Sequence, residues 1–538
     1  MRKIYKYFRL SVLFFAFIIV HAGCKKGWLD VNYNPRQLTE NNTTPDLVLP
    51  TVLLGYSQND IRVLEAWMGY WCMPYGSSGT ADQTYNGILN SLFGAGPSDE
   101  VYYLEEKASQ SNQTFYVGIA KILKALAWSR CVDVFNNVPY TEAFDRSIRR
   151  PRYDDAKFIY EDQIRNLDSG IVLIKGAQVD RNVNITHADI MFHGNKNGWI
   201  KFANTLKLRL LVHQANRPDR AAYILAEIAK IKAEGSGFLN TGEDAAVNPG
   251  FQELKPNPFY GTHCRYYIFP NVDLEIGVYT WEISSANTTA MNFLKENNDP
   301  RLGFFYSPTV FTMPPGSPEP FTQPSPDNFR GNRFGLPVSP LQYRFQSSNF
   351  VSQVGGVTAH GPKTPASTGI IKGYDMDAWV ITSVESLFLQ AEAIQRGWLA
   401  GNAEEAYKNA VKESFRWLNV GGNSNMPSLS DAVFNTWYGE QVTVGNQNVS
   451  WSAAPDKYKV LMFQKYLAFN GIEPFEIYTD YRRNGAYPNI PLSFDPGRTS
   501  RTMPIRMPYP ETEYTANRDN VNAQGVINIF TSKIWWMP

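Results

Sequence analysis

The sequence predicts a mainly α-helical fold in which packed helical hairpins form a scaffold for a large irregular, loop-rich subdomain. Two observations favour this class. Apolar residues recur at three- and four-residue steps in two long parts of the chain, which is the period of amphipathic helices. Between these parts lies a long stretch rich in Pro, Gly, Asn, Ser and aromatic residues that has no regular period.

The clearest hairpin is predicted in residues 379–419. Apolar residues such as Val384 and Phe388 share one helical face, and a glycine-containing break follows. Asn402, with Glu405 three residues later, has the spacing of a capping box and predicts where the second helix begins. Because the connection is short, the helices should fold back as a pair of about the length of one tetratricopeptide repeat (TPR) unit. One pair cannot bury its apolar face, so we expect other pairs beside it.

The remaining periods predict the domain organisation. A first helical stretch is expected over 46–73, and TPR-like helices over about 99–235 and 379–483. An irregular region is expected over about 241–375, and so long a stretch without regular elements is unusual in a compact domain unless it carries function. No linker separates two independent cores, so residues 46–538 are predicted to form a single domain.

Length, composition and charge exclude two classes of protein. The chain has 538 residues, of which 43% are apolar, so it can bury a large core and is not disordered. Four of its 51 Lys and Arg residues lie in a leader that we expect to be removed, which leaves 47 positive against 50 negative side chains. Phosphate binding needs a basic surface, so this near-neutral balance argues against a nucleic-acid partner.

Residues 1–23 have the pattern of a bacterial lipoprotein signal peptide. A basic start precedes an apolar run over 10–20, and His-Ala-Gly stands directly before Cys24. The run is shorter than the about 20 residues that span a bilayer. The likeness to a lipobox implies cleavage before Cys24, acylation of that cysteine, and a lipidated tether over 24–45 that holds the protein on a membrane. An ordinary signal peptide and a buried N-terminal helix are the alternatives.

We find no catalytic, cofactor or metal motif in the sequence. The other cysteines, Cys72, Cys131 and Cys264, are odd in number and lack a CxxC spacing, so buried thiols are expected. Asp375 and Asp377 resemble a fragment of a calcium loop, but the glycine and the distal glutamate of such a loop are missing. HExxH, GxSxG and P-loop patterns do not occur either. We therefore expect no cofactor, no bound metal and no catalytic residues.

Several stretches carry the motifs of one family in chain order. The main ones are 133–143 (DVFNNVPYTEA), 191–211 (MFHGNKNGWIKFANTLKLRLL), 464–488 (QKYLAFNGIEPFEIYTDYRRNGAYP) and 506–510 (RMPYP). They resemble the SusD/RagB nutrient-binding outer-membrane lipoproteins, in particular the branch with Trp-Ile-Lys-Phe-Ala-Asn and Asp-Tyr-Arg-Arg signatures. With shorter matches they cover almost the whole mature chain.

The resemblance implies a cell-surface lipoprotein that captures a glycan or a peptide. It implies a partner, a SusC-like TonB-dependent outer-membrane barrel, which this protein caps as a hinged lid. It also implies TPR helices on one side of the molecule and an irregular ligand-facing side opposite. The motifs of the family are mainly structural, so no ligand residue carries over from them.

A glycan site needs aromatic faces for the C–H edges of sugar rings, and amide or carboxylate groups for the hydroxyls. The loop over 74–97 and the helix end before it supply such groups in a setting too polar for a core. Helical tryptophans are expected to belong to the scaffold, namely Trp67, Trp128, Trp199, Trp398 and Trp417. Weaker candidates lie in irregular segments, namely Tyr279, Tyr343 and Trp451. The predicted ligand-binding residues are Trp71, Tyr75, Tyr85, Asn86 and Trp281.

Three other functions stay open at this point. A peptide-binding member of the same family would have the same motifs. A secreted glycoside hydrolase would need only two carboxylates at a set separation, and such spatial pairs cannot be seen in a sequence. The charged residues Asp480, Arg482 and Arg483 could suggest catalysis, but Arg-carboxylate pairs at helix ends are more often structural. A purely structural lid, without affinity for a ligand, is the third alternative.

Overall fold

The structure is a computed structural model that describes residues 43–57, 62–72, 85, 96–263, 284–309, 328–336, 351–356, 368–422 and 427–538. Residues Pro45–Pro538 form one compact unit, and Met1–Thr44 form another. The predicted signal peptide, Cys24 and most of the predicted tether lie outside the described residues. The description below therefore concerns the larger unit.

The first part of the scaffold is built around one long, deeply buried helix, α4. This helix contacts α3, α5 and α7, so 18 of its 22 residues are buried and its apolar stripe extends almost all round. The described helices before residue 240 are α1 (Pro45–Tyr56), α2 (Arg62–Trp67), α3 (Asp99–Gln110), α4 (Thr114–Phe135), α5 (Ala156–Gly176), α6 (Ile185–Ala188), α7 (Lys196–His213) and α8 (Ala221–Glu234).

Helices α4 and α5 approach each other closely at two glycines. A Cβ atom added at Gly118 would lie 2.6 Å from Cγ1 of Ile174 and 2.9 Å from the carbonyl oxygen of Gly170. A Cβ atom at Gly170 would lie 3.0 Å from the carbonyl oxygen of Gly118. Without side chains at these positions, the two backbones can pack directly on each other. Asp155 defines where α5 begins, because its carboxylate accepts a hydrogen bond from the N–H of Phe158 at 3.0 Å.

The second part of the scaffold contains the predicted hairpin, α12 and α13. Asn402 caps α13 as predicted, since its side-chain oxygen accepts a hydrogen bond from the N–H of Glu405 at 3.0 Å. Helix α12 also packs on α7 and α15, which joins the two parts of the scaffold. The described helices after residue 240 are α9 (Pro258–His263), α10 (Thr288–Glu296), α11 (Leu302–Phe305), α12 (Ser383–Gln395), α13 (Ala403–Trp417), α14 (Pro427–Thr443), α15 (Lys457–Ala468), α16 (Pro474–Arg483), α17 (Glu511–Ala516) and α18 (Arg518–Asn522).

Three short antiparallel strand pairs connect the helices with the irregular region. β1 (Trp71–Cys72) pairs with β5 (Ser285–Ala286), β2 (Val138–Pro139) with β3 (Tyr153–Asp154), and β4 (Ala245–Val247) with β6 (Ala378–Ile381). In register, Trp71 lies opposite Ala286, Val138 opposite Asp154 and Val247 opposite Ala378. The first and third pairs join segments far apart in the sequence, so they attach the irregular region to the scaffold at both ends.

The predicted fold class, a mainly α-helical TPR-like scaffold with a loop-rich subdomain, is confirmed. Differences concern individual elements. Trp71 lies in β1 and not in a helix, because pairing with a distant strand overrides the local helical period. Helix α14 was not predicted from the sequence, because its apolar face is short and consists mainly of Phe434 and Trp437, which pack on Phe415. Helices α17 and α18 were not predicted either.

No helix among the described residues combines the length and the apolarity needed to cross a membrane. Cys72 and Cys131 are free, buried thiols, as predicted. Burial raises the pKa of the Cys131 thiol to about 12, so this group is protonated and unreactive at neutral pH. Cys264 lies outside the described residues.

Candidate functional site

Trp71, the first predicted ligand-binding residue, is buried in the core. Its side chain is 1% exposed, and its ring contacts the rings of His263 at 4.9 Å and Phe259 at 6.3 Å between centroids. Gly471 packs on the other side, since a Cβ atom added there would lie 2.7 Å from Cζ2 of Trp71. The expectation that Trp71 faces solvent is therefore wrong, because segments distant in sequence cover its ring.

Tyr85 is also buried, although its sequence neighbourhood is polar. Its ring packs edge-on against Trp67 at 5.2 Å, and its hydroxyl accepts a hydrogen bond from the N–H of Ser493 at 2.9 Å. The expected exposure is wrong here too, and any contact of Trp71 or Tyr85 with a ligand would require their covering residues to move. The other predicted ligand residues, Tyr75, Asn86 and Trp281, lie outside the described residues, as do Tyr279 and Tyr343. Trp451 is described and is 8% exposed.

Strands β1 and β5 are the centre of a small hydrogen-bonded surface that we call the platform. It consists of residues 71–72, 284–287, 304–309, 328–332 and 351–356. These five short segments have little regular secondary structure. They are held together mainly by hydrogen bonds between backbone groups.

Backbone hydrogen bonds run across the whole platform. The N–H of Ala286 donates to the carbonyl of Ser352 at 2.8 Å, and the N–H of Asn332 donates to the carbonyl of Ala286 at 2.8 Å. The N–H of Ser307 donates to the carbonyl of Gln353 at 2.9 Å. Each buried bond of this kind satisfies a donor and an acceptor that would be costly to leave unpaired. The platform is therefore a stable base despite its irregular course.

Five segments of the irregular sequence begin or end directly beside a platform residue. By sequence they are rich in Gly, Pro, Ser, Thr and aromatic residues, and they include Tyr75 and Trp281. All five are thus connected through the chain to residues of one common base, although they come from distant parts of the sequence. The segments are 73–84, 264–283, 310–327, 337–350 and 357–367.

A hollow of about 280 Å³ lies where β4 and β6 meet the α12–α13 hairpin. We call it the hairpin hollow. Trp379 and Trp417 form its aromatic wall, with ring centroids 5.3 Å apart and rings edge to face. The indole N–H of Trp379 donates to the carbonyl of Ile472 at 2.9 Å, which fixes this ring. The lining residues are Asp244, Ala246, Lys372, Asp375, Met376, Asp377, Trp379 and Trp417.

Asp244 holds the hairpin at the edge of the hollow. Its carboxylate accepts hydrogen bonds from the indole N–H of Trp417 at 2.9 Å and from the backbone N–H of Ser383 at 2.6 Å. Ser383 is the first residue of α12, so the negative charge lies at the positive end of the helix dipole. Both oxygens of Asp244 are engaged, so this residue positions the walls of the hollow.

Lys372 supplies hydrogen-bond donors to the hollow. Its Nζ atom lies 3.9 Å from the centroid of the Trp417 ring, in a cation–π contact. In the described part of the chain its ammonium group makes no hydrogen bond and no ion pair, so its N–H groups are available. Burial lowers the pKa of Lys372, whereas the negative charges of Asp244, Asp377 and Glu413 oppose this shift.

Asp375 and Asp377 supply acceptors at the rim, and both side chains are exposed. The amide N–H₂ of Asn248 donates to Oδ1 of Asp377 at 2.8 Å and to the carbonyl oxygen of Asp375 at 3.0 Å, which fixes the turn. Among the described residues, nothing donates a hydrogen bond to the carboxylate of Asp375. The hollow thus offers fixed aromatic edges, free N–H donors and free carboxylate acceptors.

Sequence reasoning missed most of the hollow. Trp417 was assigned to the scaffold because it fits the period of α13. Its position as the last residue of that helix was the one sign that its ring could line a site. Lys372 and Asp244 carry no local pattern. Asp375 and Asp377 were noticed, but as a fragment of a calcium loop.

A cluster of buried charges lies inside the scaffold. Arg209 of α7 donates two hydrogen bonds to Glu385 of α12, at 2.6 and 2.7 Å, and both side chains are at most 2% exposed. Nε2 of His213 lies 2.7 Å from Oε2 of Glu476, and Arg483 pairs with Glu392 at 2.7 Å. These ion pairs join helices and have no access to solvent. The interpretation of the Asp-Tyr-Arg-Arg region as structural therefore fits its surroundings.

Two buried groups of this cluster make stability depend on pH. Burial raises the pKa of Glu473 to about 8, although the charge of Arg130 partly opposes this. For His213, burial alone would lower the pKa, but the carboxylates of Glu476 and Asp133 raise it to about 9. In both cases the folded state keeps a proton that the unfolded state loses at a lower pH. The free energy of unfolding therefore falls as pH rises, between about 4.5 and 8 for Glu473 and between about 6.5 and 9 for His213.

The variant Glu473→Gln should flatten this dependence, because glutamine keeps the shape of the neutral acid and cannot lose a proton. A single group can change the free energy of unfolding by at most about 1.4 kcal/mol per pH unit. Urea unfolding from pH 5 to pH 9 measures the slope for wild type and variant, and Glu404→Gln, on the exposed part of α13, is the control. Equal slopes for wild type and Glu473→Gln would show that Glu473 is already ionised at neutral pH.

Comparison with known proteins gives both a sequence match and structural matches. Residues 75–510 match the model of a SusD-like family described as "Starch-binding associating with outer membrane". No curated protein sequence matches the chain.

Many solved structures share the fold at low sequence identity. A SusD homologue from Bacteroides fragilis NCTC 9343 is 19% identical, with a TM-score of 0.68 over 92% of this chain and 99% of that one. A SusD homologue from Bacteroides uniformis ATCC 8492 is 20% identical, with a TM-score of 0.69 over 91% of this chain and 99% of that one. A chitin-binding SusD homologue from Flavobacterium johnsoniae is 19% identical, with a TM-score of 0.68 over 91% of this chain and 98% of that one. Since the family model spans most of the chain and these structures share its fold, the chain belongs to the SusD-like family.

Proposed function

We propose that the protein is a lipid-anchored, cell-surface component of the outer membrane that captures an oligosaccharide and delivers it, as a hinged lid, to a SusC-like TonB-dependent transporter. The observation that carries this proposal is the platform, to which five segments with aromatic and polar side chains are attached. Such a base can present aromatic faces and hydroxyl-binding groups together to one extended ligand. Cys24 is the proposed site of the lipid anchor.

The comparisons support a sugar as the ligand and the outer membrane as the location. The matching family is described as starch-binding and as associating with the outer membrane. One solved structure with this fold is described as that of a chitin-binding homologue. Oligosaccharides are therefore the first ligands to test. The proposed lid role rests on the resemblance to SusD/RagB proteins, which implies that this protein caps a transporter.

The buried charges favour binding over hydrolysis. A glycoside hydrolase needs an acid with a raised pKa close to the scissile bond. Among the described residues, Glu385 and Glu473 are the carboxylic acids with a raised pKa, but both are at most 2% exposed and lie within the helical scaffold. A ligand on the surface cannot reach them. The carboxylates at the hairpin hollow are suited to accepting hydrogen bonds from hydroxyl groups.

The double variant Tyr75→Ala/Trp281→Ala should weaken oligosaccharide binding about tenfold or more and leave thermal unfolding nearly unchanged. Each substitution removes one aromatic ring that could stack on a sugar. A loss of about 1.4 kcal/mol in binding free energy corresponds to a tenfold loss of affinity. Calorimetric titration of the full chain with starch-derived, chitin-derived and other oligosaccharides, and with peptides, measures affinity. Trp71 is unsuitable for this test because its removal would leave a cavity in the core.

The control is Tyr103→Ala, which removes a half-buried ring from helix α3. Unchanged affinity in the double variant would reject these two residues as ligand contacts. Mass spectrometry of the ligand after titration separates the remaining functions: fragments would indicate an enzyme, and binding of peptides alone would identify the peptide-binding alternative. No binding to any ligand would favour a purely structural lid.

A further inference from the structure

The residues that line the hairpin hollow belong neither to the platform nor to the five segments. We propose that the hollow binds one neutral pyranose ring, with two adjacent ring hydroxyls held between the ammonium group of Lys372 and the carboxylates of Asp375 and Asp377. The hollow would be a second sugar site beside the one proposed at the platform. Only the choice of a sugar among neutral polyols rests on the proposed function of oligosaccharide capture. The site itself stands on its own geometry.

The size of the hollow fits one ring. Its volume of about 280 Å³ lies just below the about 300–1,000 Å³ of pockets that enclose drug-sized ligands. The edges of Trp379 and Trp417 and the side chain of Met376 give an apolar wall for the C–H groups of a ring. A longer chain would continue past the exposed rim at Asp375 and Asp377.

The polar groups match neighbouring hydroxyls. An ammonium group only donates hydrogen bonds, a carboxylate only accepts them, and a hydroxyl does both. One hydroxyl can therefore accept from Lys372 while its neighbour donates to Asp377 or Asp375. Hydrogen bonds to charged groups are stronger than neutral ones, so a small site of this kind can hold a ring.

Other ligand classes fit the charges less well. An anion would be repelled by the carboxylates of Asp244, Asp375 and Asp377, which all line the hollow. A cation finds no free aromatic face, because Lys372 already occupies the face of the Trp417 ring and repels a second positive charge at that position. A neutral polyol is repelled by neither group and can use both.

The methyl group of Met376 gives a direct readout of occupancy, because this side chain lines the hollow and is only 8% exposed. The full chain, with ¹³C-labelled methionine methyl groups, is kept in a detergent without a sugar headgroup. Methyl pyranosides of glucose, mannose and galactose are titrated while the NMR signal of Met376 is followed. The variant Met376→Leu assigns that signal by its loss. Tetrahydropyran-2-methanol, which has the ring without ring hydroxyls, inorganic phosphate and L-lysine are the ligand controls.

We expect a saturable shift of the Met376 signal with at least one pyranoside and none with the three controls. Lys372→Met, which keeps the apolar stem over Trp417, should weaken this binding about tenfold or more. Asp375→Ala alters an exposed side chain without hydrogen-bond partners among the described residues, so it folds normally and should weaken binding several-fold. Lys408→Met, on the surface of α13, is the matched control and should bind as wild type does.

Absence of a Met376 shift with every pyranoside would overturn the inference. If oligosaccharides still bound by calorimetry in that case, the proposed function would stand without this site. A shift with phosphate or lysine alone, or a pyranoside affinity unchanged in both Lys372→Met and Asp375→Ala, would overturn it as well. A pyranoside shift at Met376 without any effect of Tyr75→Ala/Trp281→Ala on oligosaccharides would support the hollow and count against the segments.

Discussion

Replacing Arg209 by methionine is expected to reduce the free energy of unfolding by about 3–5 kcal/mol. The Arg209 side chain is 2% exposed, and its guanidinium group donates two hydrogen bonds to Glu385. Its Nε atom also lies 3.6 Å from Oε1 of Glu476. Methionine fills a similar volume but leaves two buried carboxylates without their main counter-charge. Urea unfolding at pH 7 measures the loss.

Two further variants test this explanation. Arg165→Met removes a surface ion pair with Asp162, in which the arginine is 55% exposed, and should cost no more than about 1 kcal/mol. The double variant Arg209→Met/Glu385→Met should recover part of the loss, because an apolar pair can replace a buried ion pair without leaving a lone charge. A loss below about 1 kcal/mol for Arg209→Met alone would show that the carboxylates are hydrated or protonated in the folded state.

This ion pair is also connected to the hairpin hollow. Arg209 and Glu385 join α7 to α12, and α12 begins at Ser383, whose N–H binds Asp244 at the hairpin hollow. The same carboxylate of Asp244 holds Trp417. Stability of the scaffold and shape of the hollow therefore depend on the same helix, through contacts a few residues apart.

The helical scaffold could be predicted because its information is local. The period of α12 and α13 is visible in successive residues, and the cap formed by Asn402 needs only Glu405 three positions later. Local information also explains why the fold class was predicted correctly. The same reasoning assigned Trp417 to the scaffold. This is correct for its helix, but it does not show that its ring lines the hairpin hollow.

The candidate site could not be predicted because its information is not local. Trp71 and Tyr85 stand next to a polar loop, yet Phe259, Gly471 and Ser493 from distant segments cover them. The hollow likewise combines residues near positions 244, 372–379 and 417. Nothing in the sequence around any one of these positions indicates that the others lie beside it. Contacts between distant segments decide burial, and a residue's neighbours in sequence do not.

The variant Gly471→Ala is expected to cost about 2–5 kcal/mol of stability. Gly471 has φ +71°, a conformation that costs an alanine about 1–2 kcal/mol. The added Cβ would lie 2.7 Å from Cζ2 of Trp71 and closer still to Cδ1 of Ile370. Both neighbours are at most 1% exposed, so they cannot move aside cheaply, and overpacking of a core adds about 1–3 kcal/mol.

A matched glycine separates the two causes. Gly445 has φ +67°, and a Cβ atom added there meets nothing within 4 Å, so Gly445→Ala carries only the backbone cost. The difference between the two variants in urea unfolding measures the packing of Gly471 against Trp71. A clear excess for Gly471→Ala would show that the Trp71 ring is held rigidly in the core. Equal losses would mean that the ring yields easily, and would restore Trp71 as a residue that a ligand could reach after a small movement of its cover.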